Sequence, residues 1–264
     1  MPRSTLATKV VVVLSLLLLL GVWHIGSLVL DAQVILPTPS KTLSAFITLL
    51  QYKPLSVNLL TTVGRALKSF LIIVTVGSVL GIIAGYKPLF SAALQPLLVM
   101  CKAIPVMSII LLAFIWFSSG TVPLFSAFLM GFPVMFVQVE EGVRLISEDL
   151  SEMSHMYHFS QKDRIMHLII PSLTPSLITG AKASLSMVWK VVIAAEVLTV
   201  PRYGVGSRMQ LAQINLETAE VLAWTLIAIL LTALGDVLFI AMLQLPKRFR
   251  ELKTKHFERV HGHS

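Results

Sequence analysis

Apolar runs long enough to cross a lipid bilayer limit what this sequence can fold into. The first covers residues 10–30, and five more follow before residue 246. Hydrophobic residues make up 56% of the 264 residues, and charged residues 13%, about half the share found in a soluble domain. Too few polar side chains are available to cover a soluble surface, whereas a bilayer solvates apolar helices. The sequence therefore predicts an all-α membrane protein.

Six transmembrane helices are predicted, over 10–30, 66–85, 91–117, 122–138, 176–200 and 221–245. Prolines inside the third and fourth are expected to bend those helices without ending them. The chain then divides into an N-terminal helix, a loop with short amphipathic helices, a core of five spans and a basic tail. Their ranges are 1–30, 31–65, 66–245 and 246–264. Ser40 is the predicted N-cap of a short helix ending at Leu50.

The distribution of basic residues predicts which side of the membrane each loop occupies. Six spans place both termini on one side, and that side carries twelve lysines and arginines against five on the other. Basic loops stay in the cytoplasm, so both termini are expected there. The formal net charge of +8 is then explained by cytoplasmic loops and by attraction to lipid headgroups, and no nucleic acid partner is implied.

A signal peptide is the competing interpretation of residues 1–30, but the run is long and lacks a small-residue cleavage site.

A polar segment, residues 148–171, interrupts the apolar runs and is predicted to lie on the side of the termini. Its pattern indicates two short helices, 147–157 and 161–170, with the second ending before Pro171. Three side chains at helical spacing share one face of the first helix, Met153, Met156 and Tyr157. Two short helices joined by an elbow form a compact surface that transmits force, which a slack loop does not.

The same segment resembles the signature of bacterial ABC importer permeases, which is written EAA, three residues, G, nine residues, I-x-L-P. The matching residues are Glu152-Met153-Ser154, His158 and Ile169-Ile170-Pro171. Met153 and Ser154 replace residues that are usually small, and His158 replaces the glycine of the elbow. Motifs elsewhere match the nitrate, sulfonate, taurine and bicarbonate branch: Leu36-Pro37-Thr38-Pro39-Ser40, Gly77 through Gly85, Ile104-Pro105, Trp116-Phe117, Phe132-Pro133, Pro171 through Pro175, Ala195-Glu196 and Gly204-Val205-Gly206.

The resemblance implies a type I ABC importer permease-like core in the bacterial cytoplasmic membrane. It also implies a second copy of the permease, two cytoplasmic ABC ATPase subunits and an external substrate-binding protein. The expected solute is small, either an organic or inorganic anion or a vitamin precursor. The segment 143–175 would then couple the permease to the ATPase, through Glu152, Met153, Ser154, Met156, Tyr157, His158, Phe159 and Pro171. For Glu152 the alternatives are a helix-capping role or simple solvation.

ATP, with Mg, is expected in the partner ATPase, because this chain has no G-x-x-x-x-G-K-[ST] phosphate loop and no cofactor motif. Hydrolysis would therefore belong to another subunit.

One cysteine, no clustered metal ligands and no convergent catalytic residues argue against an integral-membrane enzyme. The alternative function is a stand-alone secondary transporter or channel, which would need a coupling-ion site or polar pore. The absence of an internal repeat disfavours many secondary transporter folds.

Charged residues inside the predicted spans are candidates for the translocation path. An unpaired charge in the bilayer centre costs at least ~2.5–3.5 kcal/mol, so each should face a partner, a cavity or an interface. Lys190 and Glu196 are the candidate path residues, and their spacing of six points them to different sides of one helix. Pairing of Lys190 with Asp236, or snorkelling, is the alternative.

The series Gly77, Gly81 and Gly85 predicts close helix packing, within the core or between copies.

Overall fold

The computed structural model describes residues 6–146, 156 and 160–261, and within these ranges every regular element is helical. The α-helices, numbered here in chain order, are α1 (Leu6–Leu30), α2 (Pro39–Leu50), α3 (Leu55–Tyr86), α4 (Pro88–Ala103), α5 (Val106–Trp116), α6 (Val122–Arg144), α7 (Gln161–Arg164), α8 (Ile170–Thr199), α9 (Val205–Ile214) and α10 (Thr218–His261). A π-helical turn, Ile165–Ile169, joins α7 to α8.

The prediction of a multi-span helical membrane protein is confirmed. Five helices are long and apolar enough to cross a membrane, and a sixth crossing results if α4 and α5 together form one span. These two helices were predicted as one bent span, but they meet at 102°. Ile104 has extended backbone angles because it precedes Pro105, a position that disfavours helical geometry. The chain therefore turns sharply between α4 and α5.

Two predicted helix starts differ from the structure. The N-cap of α2 is Thr38, whose hydroxyl accepts a hydrogen bond from the Lys41 amide (3.3 Å), while Pro39 opens the helix. Ser40, the predicted cap, is already helical. The second span was expected from residue 66, yet α3 begins at Leu55, so residues 55–65 are helical and not part of a loop. These extra turns carry polar residues that an apolar-run criterion misses.

The second helix of the polar segment was predicted to end before Pro171, and this is wrong. The π-helical turn continues into α8, and the Ile170 amide bonds the Ile165 carbonyl five residues earlier. Pro171 follows at the start of α8. Because a π turn shifts the hydrogen-bond register by one residue, it accommodates a residue that has no backbone N–H. The helical chain thus continues for 38 residues, from Lys162 to Thr199.

Helix α6 forms the centre of the bundle and packs between α3 and α8. The small residues of α3 allow this close approach, because Gly77 and Gly81 meet the side chains of Met135 and Val139 on α6, and Gly85 meets Val143. A Cβ atom placed on Gly81 would lie 2.8 Å from the Phe136 carbonyl oxygen. The glycine series therefore serves packing within this chain, the first of its two predicted uses.

Helices α2 and α9 and the start of α10 cover the end of the bundle at which α3 begins and α8 finishes. Their apolar contacts join Leu49 of α2, Val205 of α9 and Trp224 of α10, all of which are buried. This end is called the capped end below. The opposite end, where α6 finishes and α7 begins, is called the segment end.

Substitution of Gly81 by valine tests the packing of α3 against α6. We expect Gly81→Val to destabilise the protein by about 1–3 kcal/mol, because the new side chain meets a carbonyl oxygen fixed in a helix. Thermal unfolding in detergent would measure the loss. Gly21→Val in α1 is the matched control, since nothing lies within 4 Å of its Cβ position. Equal melting temperatures for the two variants would contradict the packing described here.

Candidate functional site

A buried ion pair at the capped end joins α3 to α8. The Nη1 atom of Arg65 lies 2.6 Å from Oε1 of Glu196. The Glu196 side chain is fully buried and that of Arg65 is 13% exposed. Arg65 belongs to the third turn of α3, and Glu196 to the last turn of α8. Burying two charges requires close pairing and further hydrogen bonds, and both are present here.

The Glu196 carboxylate also accepts hydrogen bonds from two other groups. The Thr62 hydroxyl lies 2.9 and 3.0 Å from its two oxygens, and the Gly206 amide donates to Oε2 at 3.1 Å. The same Thr62 oxygen accepts from the Val205 amide at 3.0 Å. The carboxylate is therefore held by α3 on one side and by the first residues of α9 on the other.

The loop between α8 and α9 is fixed by the same residues of α3. Arg65 donates from Nη1 to the Tyr203 carbonyl (2.8 Å), and from Nε to the Gly120 carbonyl (3.1 Å) before α6. Asn58 accepts from the Gly204 amide (3.0 Å) and from Nε of Arg208 (3.3 Å). The Glu196 cluster is defined as Asn58, Thr62, Arg65 and Glu196 with the backbone of residues 203–206.

Glycine is required at both ends of the Gly204-Val205-Gly206 motif. Gly204 has φ +156°, and a Cβ atom there would lie 2.6 Å from the Glu196 carboxyl carbon. A Cβ atom on Gly206 would lie 2.7 Å from the Glu196 Cβ and 2.9 Å from the Val197 amide nitrogen. Because any side chain would push the loop away from the carboxylate, the motif is explained by close backbone approach.

A second polar cluster lies at the segment end. The buried Glu140 of α6 accepts from the Ser91 hydroxyl of α4 (2.5 Å) and from Nη2 of Arg144 (2.5 Å). Arg144 also donates to the Ser91 oxygen (3.1 Å), and its side chain is 55% exposed. These contacts tie α4 to the last turn of α6, immediately before the chain enters the polar segment.

Most residues predicted to contact an ATPase lie outside the described ranges: Glu152, Met153, Ser154, Tyr157, His158 and Phe159. Their role stays a prediction. Met156 is helical and 80% exposed, and Pro171 is exposed at the start of α8.

Ser160 caps α7, because its hydroxyl accepts from the Asp163 amide (3.2 Å) and donates to the Asp163 carboxylate (2.6 Å).

The two predicted path residues have different environments. Glu196 lies inside the Glu196 cluster, away from any open surface, whereas Lys190 is exposed on α8. Asp236 accepts from the Ser186 hydroxyl (3.3 Å), and no ion pair joins it to Lys190 in the part of the chain described. Lys68, Lys102 and Lys182 are also exposed, and none of these span lysines has an ion pair within the described ranges. Their faces should therefore meet water, headgroups or another chain.

Sequence reasoning missed Arg65 as the partner of Glu196 because it assigned Arg65 to a loop. One signal was available in the sequence. Arg65 and Glu196 are both charged, and each lies at the end of an apolar run on the same predicted side of the membrane. The roles of Asn58 and Thr62 carried no such signal, since threonine and asparagine are common in membrane helices and loops alike. Only the approach of α3 to α8 brings these side chains together.

Comparison with known proteins identifies relatives along most of the chain. The permease SsuC of Bacillus subtilis (strain 168), named for aliphatic sulfonates, is 27% identical over 83% of this chain and 79% of its own length. The taurine transport system permease protein TauC of Escherichia coli (strain K12) is 25% identical over 76% and 75%. The bicarbonate transport system permease protein CmpB of Synechococcus elongatus is 24% identical over 56% and 53%.

A bundle of membrane-length helices with a polar segment at one end and a fixed loop at the other defines a multi-pass membrane protein. The model of the family described as the binding-protein-dependent transport system inner membrane component matches residues 77–250, about two thirds of the sequence. The chain belongs to this family. It is a permease of an ABC importer, as the signature motif and the branch-specific motifs predicted.

A double-mutant cycle tests the energy stored in the Arg65–Glu196 pair. We expect Glu196→Leu and Arg65→Met each to cost about 3–5 kcal/mol, because each leaves an unpaired buried charge. The combined variant should lose less than the sum of the two, since neither charge remains. Thermal unfolding of the four proteins in detergent gives the coupling, and additive losses would be inconsistent with a paired carboxylate.

Proposed function

We propose that this protein is the membrane-spanning permease subunit of an ATP-driven importer for small oxyanions. In this proposal two copies form the translocation path, two cytoplasmic ABC ATPase subunits, which bind ATP with Mg, supply the energy, and an external binding protein delivers the solute. Family membership supports the assembly. The names of the relatives support the solute class, because sulfonates, taurine and bicarbonate all present negatively charged oxygens.

The observation that carries the proposal is the continuity of α7, the π turn and α8. The 38 helical residues from Lys162 to Thr199 span ~57 Å at 1.5 Å per residue. That length exceeds the ~30 Å hydrocarbon core of a bilayer. One continuous helical stretch therefore begins beside the polar segment at one end of the bundle and finishes in the Glu196 cluster at the other.

The continuity of this stretch suggests how ATP binding would move the external side of the path. Closure of the ATPase subunits displaces the polar segment 148–171, which is cytoplasmic in this proposal. Because α8 continues from α7 through the π turn without a break, its far end would move with α7. The Glu196 cluster then transmits the displacement to the loop 200–204 and to α3. Alternating access to the path is the result.

Lys190 is the proposed contact for the solute within the membrane. It lies on α8, six residues before Glu196, and its side chain is exposed on this copy of the bundle. An ammonium group that has no ion pair among the described side chains is available to an anion. Facing a second copy across the path, it would offer the solute a charge-assisted hydrogen bond.

Replacement of Lys190 tests the path. We expect Lys190→Met to lower oxyanion uptake roughly tenfold, because one hydrogen bond to a charged group is worth about 1.5 kcal/mol or more. Lys190→Arg should retain most of the activity. The measurement is ATP-driven uptake of labelled taurine, an alkanesulfonate and bicarbonate into proteoliposomes containing the complete transporter. Lys87→Met, in the exposed turn between α3 and α4, is the control. Full uptake by Lys190→Met would remove this residue from the path.

Replacement of Glu152 tests the ATPase contact. We expect Glu152→Arg to lower co-purification of the ATPase at least about tenfold, because reversal of a charge at an interface costs several kcal/mol. Glu217→Arg, an exposed residue at the capped end, makes the same charge change away from the polar segment and should leave recovery unchanged. Equal ATPase recovery in both variants would contradict the docking role of Glu152. Uphill uptake by the permease alone, with no ATPase present, would contradict the whole proposal.

A further inference from the structure

A small cationic pocket adjoins the Glu196 cluster and shares Arg65 with it. Its volume is about 390 Å³, and its walls are the outer face of α3 and the first residues of α6 with the turn before it. Six residues form its polar and open surfaces: Thr61, Gly64, Arg65, Lys68, Gly120 and Thr121. The volume falls within the ~300–1,000 Å³ range of small-molecule sites.

The pocket has excess positive charge. Lys68 is exposed and has no ion pair among the described residues, and no acidic side chain lines the pocket. Arg65 shares its charge with Glu196 through Nη1 and uses Nε for the Gly120 carbonyl. Its Nη2 atom has no hydrogen-bond partner in the described part of the chain. The pocket therefore offers one complete ammonium charge and the two N–H groups of the Arg65 Nη2 atom.

The walls of the pocket leave space for a bound group at these donors. Nothing lies within 4 Å of the Cβ position of Gly64, and at Gly120 the nearest atom is Nη2 of Arg65, at 3.7 Å. The exposed Thr121 hydroxyl, which lies 3.0 Å from the Ser118 hydroxyl, adds a further polar group. Helix α6 begins at Val122, so the positive end of its dipole adds to the field at Thr121.

We propose that this pocket is an entry subsite that holds the oxyanion group of the solute between Lys68 and Arg65. The subsite deepens the proposed function and rests on it, because the capped end is external only in that orientation. An oxyanion matches the donors, since its several oxygens accept from an ammonium and a guanidinium at once. A lipid phosphate has the same chemistry, so the solute and the lipid must be separated experimentally.

Cysteine labelling tests the pocket without requiring transport or an ATPase. The variant Thr121→Cys is prepared in the full chain and placed in nanodiscs of neutral lipid. It is treated either with 2-sulfonatoethyl methanethiosulfonate, an anionic reagent that carries a sulfonate, or with the cationic trimethylammonium counterpart of that reagent. The quantity compared is the ratio of the labelling rate with the anionic reagent to the rate with the cationic reagent. We expect this ratio to be at least about fivefold higher at Thr121→Cys than at Ser44→Cys on α2. The native Cys101 is buried, and the chain without an added cysteine gives the background rate.

Three results would support the subsite. Lys68→Met should remove the charge preference at Thr121→Cys, Lys68→Arg should restore it, and methanesulfonate should slow labelling in neutral and anionic nanodiscs alike. The labelling at Ser44→Cys should remain unchanged in every variant, which shows that the effect of Lys68 is local to the pocket.

Two results would overturn the subsite. The first is an unchanged charge preference in Lys68→Met. The second is a combination of two observations: Thr121→Cys labels more slowly in nanodiscs with anionic lipid than in neutral ones, and methanesulfonate gives no protection. That combination would assign the pocket to a lipid phosphate. Neither result bears on ATP-driven uptake, so failure of the subsite is distinguishable from failure of the proposed function.

Discussion

The buried carboxylate of Glu196 is the constraint on which the capped end depends. Its charge requires compensation, and Arg65, Thr62 and the Gly206 amide provide it from two different parts of the chain. Any separation of α3 from α8 at this point would leave an ion in a medium that solvates it poorly. The loop between α8 and α9 is fixed as a consequence, because the groups that satisfy the carboxylate also hold its backbone. Polar pairing therefore fixes the loop geometry in a molecule stabilised elsewhere by apolar packing.

Close packing of α3 against α6 depends on the small residues of α3. In a bilayer, association of helices gains little from the hydrophobic effect, and close contact between backbones is what remains. The glycines of α3 supply that contact over more than two turns of α6. As a result α3, α6 and α8 form one unit with a polar cluster at each end. The Ser91, Glu140 and Arg144 contacts do for α4 and α6 what the Glu196 cluster does for α3 and α8.

Hydrophobic periodicity and composition were sufficient to predict the class of fold, because membrane spans are long and uniform. The same criterion failed at Leu55 to Arg65, where polar residues continue a helix, and at Ile104, where a residue before proline divides one apolar run into two helices. Pro171 was expected to end a helix, and a π turn instead accommodates it. Of the candidate site, Glu196 and the glycine motif were identifiable from sequence. Their partners were not, because the pairing of Arg65 and Thr62 with Glu196 depends on contacts between residues more than a hundred positions apart.

Helix α1 contributes almost nothing to the buried interior. Only 6% of its apolar window is buried, against 61% for α6, and its firmest described link to the rest of the chain is the hydrogen bond from Trp23 to the Pro37 carbonyl (3.0 Å). Mutations in α1 therefore meet few neighbours that could reject them. Within one copy of the chain, an α1 of different but equally apolar sequence would leave the packing of the other helices intact.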